Sequence, residues 1–557
     1  MFNLKVQLRR LITIFLTLLI LPIYLALAEG ELRTVSVDSN SCTPREEICG
    51  SGIDEDCDGV DLKCPGDDGD RDGFPASQDC DDGDKFVYPG VSVACKAACG
   101  DGVKTCKAGG YTTCTCTPLC EKLAGGRCFY VDPVKGSDSN SGSLNSPLKT
   151  LKRVASYSGT PPPSNKIDLV PGDVIYLMSG IYNQVYQFEI RPAVLALNQI
   201  HGTSSAPIIF KAYPGNSPTF KLSADAAALI VWYSSWIKFE GLILDGSYEE
   251  GAWISDSDQI EISNSIIRNT DGIDNNNIAA VKLTKSLNVK VHHNIINDNY
   301  DRTNADTGGM KTENSRNIVL FGGKNQHFHH NLISQSNPTS AQKTGECLSS
   351  KHSADFLDSI LEINDNIFIN CYGSAITLAG HGGRIHHNLI IDSDMGVYFH
   401  AQGQSHPPFM GNNIVEYNTL VNTPLANTTF YNAKEFNGTV GTNTIRFNIV
   451  QDDAEHNINR GGISMEAYGL DDTIPVFKST PYITSNDNCY FNKKGDVLFP
   501  FYAETLGSAS SDGEIYSFEG WKAFGFDQNS YNEDPEISYP YFTPKAGHCS
   551  TKGLYSH

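Results

Sequence analysis

One short phrase returns along the middle of the chain and limits what it can fold into. It is an apolar–polar–Asn–apolar–apolar phrase, kept with some variation. It reads Ser263-Asn264-Ser265-Ile266-Ile267, His293-Asn294-Ile295-Ile296 and His330-Asn331-Leu332-Ile333. It continues as Asp365-Asn366-Ile367-Phe368, His387-Asn388-Leu389-Ile390, Tyr417-Asn418-Thr419-Leu420 and Phe447-Asn448-Ile449-Val450. The Asn residues are 30, 37, 35, 22, 30 and 30 positions apart. A period of this length marks a structural repeat that cannot bury its apolar side alone and must stack on its neighbours. The segments between are short, β-branched and without helical periodicity, so the repeat is a coil of strands. Asn at the same point of every coil forms an internal ladder, each amide donating to and accepting from the next. Ile, Val and Leu fill the axis. His293, His330 and His387 recur beside the ladder and read as stacked coil residues, not as ligands. The expected fold is all-β, a right-handed parallel β-helix.

The segment before the repeats has a different composition. Sixteen Cys are present and twelve fall between Cys42 and Cys128; the others are Cys347, Cys371, Cys489 and Cys549. Ahead of them Lys5, Arg9 and Arg10 precede an apolar run from Leu11 to Leu27, closed by Ala26-Leu27-Ala28. This is the pattern of a cleaved secretory signal, and a dense cysteine block behind it reads as a disulfide framework. Export to the extracellular space or cell surface follows as an expectation, with no stable membrane insertion after cleavage. Cys347 and Cys371 fall on consecutive coils and are expected to pair. The formal net charge of −22 excludes a nucleic-acid backbone as partner.

Within the cysteine block, Asp68-Gly69-Asp70-Arg71-Asp72-Gly73-Phe74 and then Asp79 fit a calcium loop. Asp68, Asp70 and Asp72 take ligand positions one, three and five, and Gly73 allows the sharp turn. Phe74 offers a backbone carbonyl and Asp79 stands at position twelve. Hard carboxylate oxygens at alternate spacing suit Ca²⁺. Asp54, Asp56, Asp58 and Gly59 supply the opening half of a second such loop. The stretch Glu47-Ile48-Cys49 through Asp54, Asp56, Cys57, Asp58 and Gly59 resembles a secreted bacterial metal-binding repeat written E-x-C-x-G-x-D-x-D-C-D-G. That resemblance covers about 50 residues and implies metal binding, not catalysis.

The expected organisation is a signal over residues 1–28 and a Cys/Asp-rich metal-binding module over 42–128. A β-helix with its N-terminal cap follows over 129–455, then a final coil and C-terminal cap over 456–557. Phe129-Tyr130-Val131-Asp132, Pro147-Leu148-Lys149-Thr150-Leu151 and Pro171-Gly172-Asp173-Val174 resemble the opening of secreted β-helix proteins, polysaccharide lyases among them. The implied solenoid is of the pectin-lyase-like kind.

Chemistry is expected on one face. Aligning coils places Lys282 on the strand Ala280-Val281-Lys282-Leu283, followed by Lys311 and Glu313 in Gly309-Met310-Lys311-Thr312-Glu313. Next come Glu346, Lys351 and His352, then His381, then Tyr398 and His400. Such a face suits an extended anionic polysaccharide. Gly345-Glu346, Ser349-Ser350-Lys351-His352-Ser353 and Leu378-Ala379-Gly380-His381-Gly382 resemble the chondroitinase B and alginate lyase family over about 40 residues. The resemblance implies calcium-assisted β-elimination on a uronate polymer, with Lys351 as base and Glu346 as a calcium ligand. Thr344 stands where that family has a second Glu, and Ala379 and Gly380 where it has an Arg. His381 or Arg384 would then act in that place, with His352 beside the base. Lys311, Glu313, Tyr398 and His400 would line the substrate. The alternative is a non-catalytic adhesive or glycan-binding β-helix anchored by its calcium module. A monomer is expected in either case.

Overall fold

The computed structural model describes residues 68–554 except 71, 98–99, 116–119, 124, 159–160, 190, 223–225, 248, 273–277, 302–315, 336–345, 352–359, 372, 379, 381, 402–408, 431–438, 441, 453–461, 469–482, 494, 505–513, 538–541, 543 and 546. Two compact units are present. One holds residues 1–69 and 75–77; the other, 70–74 and 78–557, contains everything described below.

Among the described residues the chain winds around three long sheets, whose strands are counted over those residues. Face I has 12 strands, from Cys128–Val131 to Ile483–Asn486; face II has 12, from Gly180–Tyr182 to Tyr531–Asn532. Face III has 13, from Tyr186–Phe188 to Glu514–Tyr516. One coil visits the faces in order, as in Asp258–Ser263, Ile266–Arg268 and Ala279–Thr284, and neighbouring coils pair in parallel. The fold is a right-handed parallel β-helix.

The register explains the sequence. On face I the column Phe210, Phe239, Ile262, Val291, Phe328, Ile363 and Ile385 points to the axis, and these side chains are buried. Alternate residues point outward, so each strand supplies one or two apolar rungs and the stack makes a continuous core.

The corner between faces I and II carries the ladder. Asn366 Nδ2 donates to Asn388 Oδ1 at 3.0 Å, while its own Oδ1 accepts from the backbone N–H and Nδ2 of Asn331 at 3.0 and 2.9 Å. The chain of amides runs Asn294, Asn331, Asn366, Asn388, Asn418, Asn448, Asn488. Two details differ from the sequence reading. Asn264 is not a rung. It occupies the left-handed corner position (φ +53°) just before the rung, and Ser265 N–H donates to Asn294 Oδ1 instead. At the other end Asn488, 40 residues beyond Asn448, extends the ladder. Outside the rung, His293, His330, His387, Tyr417 and Phe447 hold the left-handed corner at φ near +55°. Their rings stack in runs: His293 on His330 at 5.0 Å, His387 on Tyr417 at 5.3 Å and Tyr417 on Phe447 at 4.9 Å.

Both ends of face III are closed by antiparallel pairing, Tyr186–Phe188 with Arg191–Asn198 and Phe499–Glu504 with Glu514–Tyr516. At the C-terminal end a helix, Phe518–Ala523, is capped by Ser517, whose Oγ accepts from Gly520 N–H at 3.2 Å. It lays Trp521 on Phe499 at 4.9 Å, and Trp521 Nε1 donates to the buried Asp527 at 2.8 Å. Cys347 bonds to Cys371, joining consecutive coils as expected, and Cys489 bonds to Cys549.

Residues 78–128 carry a three-stranded antiparallel sheet, Ser92–Ala97, Gly100–Lys107 and Gly110–Tyr111. It is tied by Cys80–Cys106 and Cys95–Cys114, and Cys120–Cys128 leads into the first coil. Among the described residues no helix is long and apolar enough to cross a membrane. Residues 1–28 lie outside them.

Candidate functional site

Face III carries three of the residues expected to do chemistry, Lys351, Tyr398 and His400. The strand after Ala279–Thr284 is Arg316–Phe321, with Lys282 beside Val319, and not residues 309–313 as the sequence alignment had it. The reason lies in the core: Ile318 and Leu320 fill the axis, whereas the sequence Gly309-Met310-Lys311-Thr312-Glu313 has no apolar alternation to offer one. Lys311 and Glu313 lie outside the described residues.

Two outward columns cross this sheet. One runs Lys282, Val319, Ser349, Thr377, Tyr398. The other runs Trp232, Ser255, Thr284, Phe321, Lys351. His400 follows Phe399 as Lys351 follows Ser350, and Ser350, Leu378 and Phe399 are register partners. Lys351 and His400 therefore stand in one column, two coils apart, with Tyr398 in the next.

Lys351 is half-buried at the end of Leu348–Lys351. Burial and then the Arg316 guanidinium push its amine down to about 8, against a smaller upward pull from Glu346. Arg316 and Glu346 form an ion pair through Arg316 Nε. Burial works to raise the Glu346 carboxyl, but Arg316, a backbone N–H and Lys351 outweigh it and hold it below the usual range. Lysine, arginine and glutamate thus form one electrostatic unit. Arg316 escaped the sequence reading because it lies 35 residues before Lys351 and belongs to no motif; the loop-to-strand boundary before Ile318 is the signal that would have located it.

Arg384 lies elsewhere. It is on face I, in Gly383–His386, donating to Glu416 at 3.0 and 2.8 Å. Face I is a different wall of the solenoid, so Arg384 is not brought beside Lys351. His352 and His381 fall outside the described residues.

The acidic loop forms the second site. Asp70, Asp72 and Asp79 each bring a carboxylate oxygen within 4.8 Å of the others. Asp70 Oδ1 accepts from Asp72 N–H at 3.1 Å, and Asp72 Oδ1 from Phe74 N–H at 2.9 Å. Asp79 is 5% exposed; its Oδ1 takes the Cys80 N–H while Oδ2 is buried without a hydrogen-bond partner. Burial raises the Asp79 carboxyl, with Asp82 and Asp81 adding to it against two backbone N–H groups. An orphaned buried oxygen beside two more carboxylates suits a hard divalent cation. Asp68 belongs to the other compact unit, and Asp54, Asp56 and Asp58 lie outside the described residues.

This loop sits on the ladder corner of the solenoid. His293 Nε2 donates to the Asp72 carbonyl at 2.6 Å, and Lys85 Nζ to the His330 carbonyl at 3.0 Å. Phe74 stacks on Tyr88 at 5.7 Å, Tyr88 meets His293 at a tilt of 34° with centroids 4.6 Å apart, and the Tyr88 hydroxyl accepts from Asn264 Nδ2 at 2.9 Å. Gly73 has φ +94°, and a methyl built there would stand 3.0 Å from His330 Nε2.

His292, His293 and His329 also converge. Their geometry is that of hydrogen bonding. His292 and His293 meet Nδ1 to Nδ1 at 2.7 Å, and the same contact recurs at His329–His330 (2.8 Å) and His386–His387 (2.7 Å). Two nitrogens on one tetrahedral zinc at about 2.0–2.1 Å stand farther apart than this. One pair per coil is a structural repeat.

A family model described as the right handed beta helix region matches residues 227–420. No curated protein matches the chain. Among solved structures, an alginate lyase from Paenibacillus sp. str. FPU-7 is similar with TM-score 0.38 at 13% identity, covering 53% of this chain and 91% of that one. The GH136 lacto-N-biosidase from Eubacterium ramulus reaches 0.42 at 15%, covering 74% and 67%. PfbA, a surface adhesin of Streptococcus pneumoniae, reaches 0.35 at 10%, covering 59% and 81%. These likenesses lie in the coil architecture, which hosts unrelated functions.

Proposed function

We propose that the chain is an exported carbohydrate-active protein that cleaves a uronate-containing polysaccharide by β-elimination. The observation that carries the reading is Lys351: a half-buried amine held to about 8 beside Arg316, on the outward side of a long sheet. A general base works best with a pKa near the operating pH. Lys351 takes the proton on C5 of the uronate. The electron pair forms the C4–C5 double bond and the C4–O bond breaks. The leaving oxygen is protonated by Tyr398, two strands on in the adjoining column. Arg316, oriented by Glu346, places positive charge where the substrate carboxylate gathers negative charge. Ca²⁺ is the cation proposed for Asp70, Asp72 and Asp79, where it anchors the loop.

The second reading is a non-catalytic glycan-binding or adhesive protein. What favours it is Arg384, which resides on face I in an ion pair with Glu416.

The test is to incubate the purified protein, with Ca²⁺ and then with chelator, against alginates, pectates and glycosaminoglycans. The ultraviolet absorbance of the unsaturated product is followed. Product formation abolished by Lys351→Ala supports the lyase. A flat trace on every uronate leaves the binding reading.

A further inference from the structure

The N-terminal end of face III carries an aromatic cluster that the Lys351 chemistry does not use. Phe188 packs on Trp232 at 5.6 Å, Trp232 on Trp253 at 5.8 Å, and Trp232 lies nearly parallel to Tyr233 (13°) at 5.6 Å. Phe188 is buried and the two tryptophans half-buried, but Tyr233 is 51% exposed.

Tyr233 is also in a costly conformation. Its φ is +45°, in the left-handed region that aromatic residues rarely adopt. The same corner of the adjoining coils holds Gln199, Asp256, Lys285 and Gly322. Tyr233 therefore has no aromatic partner above or below, unlike the stacked rings at the ladder corner. Its ring lies on Trp232 of its own coil.

Polar groups surround the plate. Trp253 is fixed from behind, with the Arg191 guanidinium 5.5 Å and the Lys282 ammonium 5.2 Å from its ring and Nε1 donating to Thr284 Oγ1 at 3.2 Å. Both cations are neutralised by Glu250, and Arg191 also by Glu249. The exposed Asp256 accepts on Oδ2 from Ser255 Oγ at 2.7 Å and from Trp232 Nε1 at 3.4 Å. Its Oδ1 takes no hydrogen bond from the described residues.

An exposed ring on a rigid aromatic base offers an apolar plate to the C–H face of a sugar. A carboxylate at its edge accepts hydroxyl hydrogens and repels a uronate. We propose that Tyr233, Trp232 and Asp256 form a subsite for a neutral pyranose. Trp232 and Lys351 share a column four strand steps apart, about 19 Å at the ~4.8 Å spacing of strands. That a single polymer would reach both places rests on the proposed function; the subsite itself does not.

Neutral gluco-, manno-, galacto- and xylo-oligosaccharides are titrated into the full protein, with tryptophan fluorescence and calorimetry as readouts. Saturable binding by at least one of them is expected, weakened tenfold or more in Tyr233→Ala and in Asp256→Ala. Tyr233→Phe keeps binding. Tyr233→Asn loses binding while its melting temperature does not fall, because Asn tolerates the left-handed region. The subsite is overturned if no neutral probe binds, if Tyr233→Ala binds as well as the unmodified protein, or if Tyr233→Asn loses stability and keeps binding. The elimination assay reads Lys351 separately, so either idea can fail alone.

Discussion

The Nε2 of His293 donates to the backbone carbonyl of Asp72, 2.6 Å away and 221 residues earlier in the chain. A carbonyl only accepts, so Nε2 carries the hydrogen, and in the neutral ring Nδ1 accepts from His292. The peptide that places the Asp72 carboxylate is thereby held by the solenoid, and Gly73 makes the approach possible. Gly73→Ala is expected to weaken Ca²⁺ binding and lower the melting temperature, since φ +94° is strained for alanine and its methyl meets His330. Calorimetric titration with Ca²⁺ checks this; a G73A isotherm matching the parent refutes it.

Lys351 sets a pH dependence. A base must be deprotonated to act, and its amine is lowered to about 8. Elimination is expected to rise with pH through a limb centred near 8. Glu346→Gln removes the upward pull of Glu346 on Lys351 and also frees Arg316, so the limb should move down in pH. A limb that stays in place in E346Q would detach Glu346 from the base.

Asn366→Leu tests the ladder. It takes the acceptor from the buried Asn331 N–H and one hydrogen bond each from Asn331 Nδ2, Asn388 Oδ1 and the Phe328 carbonyl. Leaving buried polar groups unpaired costs about 1–3 kcal/mol each, so a loss on the order of 3 kcal/mol is expected in chemical denaturation. A loss below about 1 kcal/mol would mean that the neighbours repair the gap.

Cys347–Cys371 spans adjoining coils at a sequence separation of 24. A non-reduced digest should yield the crosslinked peptide, and Cys347→Ala should cost about 2–4 kcal/mol. Recovery of both cysteines as free thiols under oxidising purification would contradict the pairing.

The histidine corner predicts acid sensitivity. Burial first, then His292, His327, His330 and His293, hold His329 far below its ordinary value of about 6.5. The unfolded chain takes up a proton that the folded ring refuses, so stability is present above about 6.5 and is lost as pH falls below it. His329→Asn is expected to flatten that fall in thermal denaturation. A variant with the same slope as the parent would remove His329 as its source.

Much of the solenoid was legible because its spacing is covalent: identical rungs recur, and only stacking uses them. Asn264 misled because a left-handed corner also favours Asn, so one residue type served two adjacent positions and only the register separates them. Asn488 hid behind a 40-residue coil. The strand at 316–321 was displaced in the reading because the acid and lysine near 311 looked like chemistry, whereas core burial sets register. Arg316 was invisible for the same reason. It meets Glu346 across coils, and pairings between coils leave no mark on local sequence.

The rungs are also indifferent to what lies between them. Asn366 to Asn388 takes 22 residues and Asn448 to Asn488 takes 40, yet both close with an amide contact at 3.0 Å. A coil can therefore gain or lose surface loop without disturbing the coils beside it. Loop length between rungs is thus free to change under descent while the amide ladder that joins the coils is inherited intact.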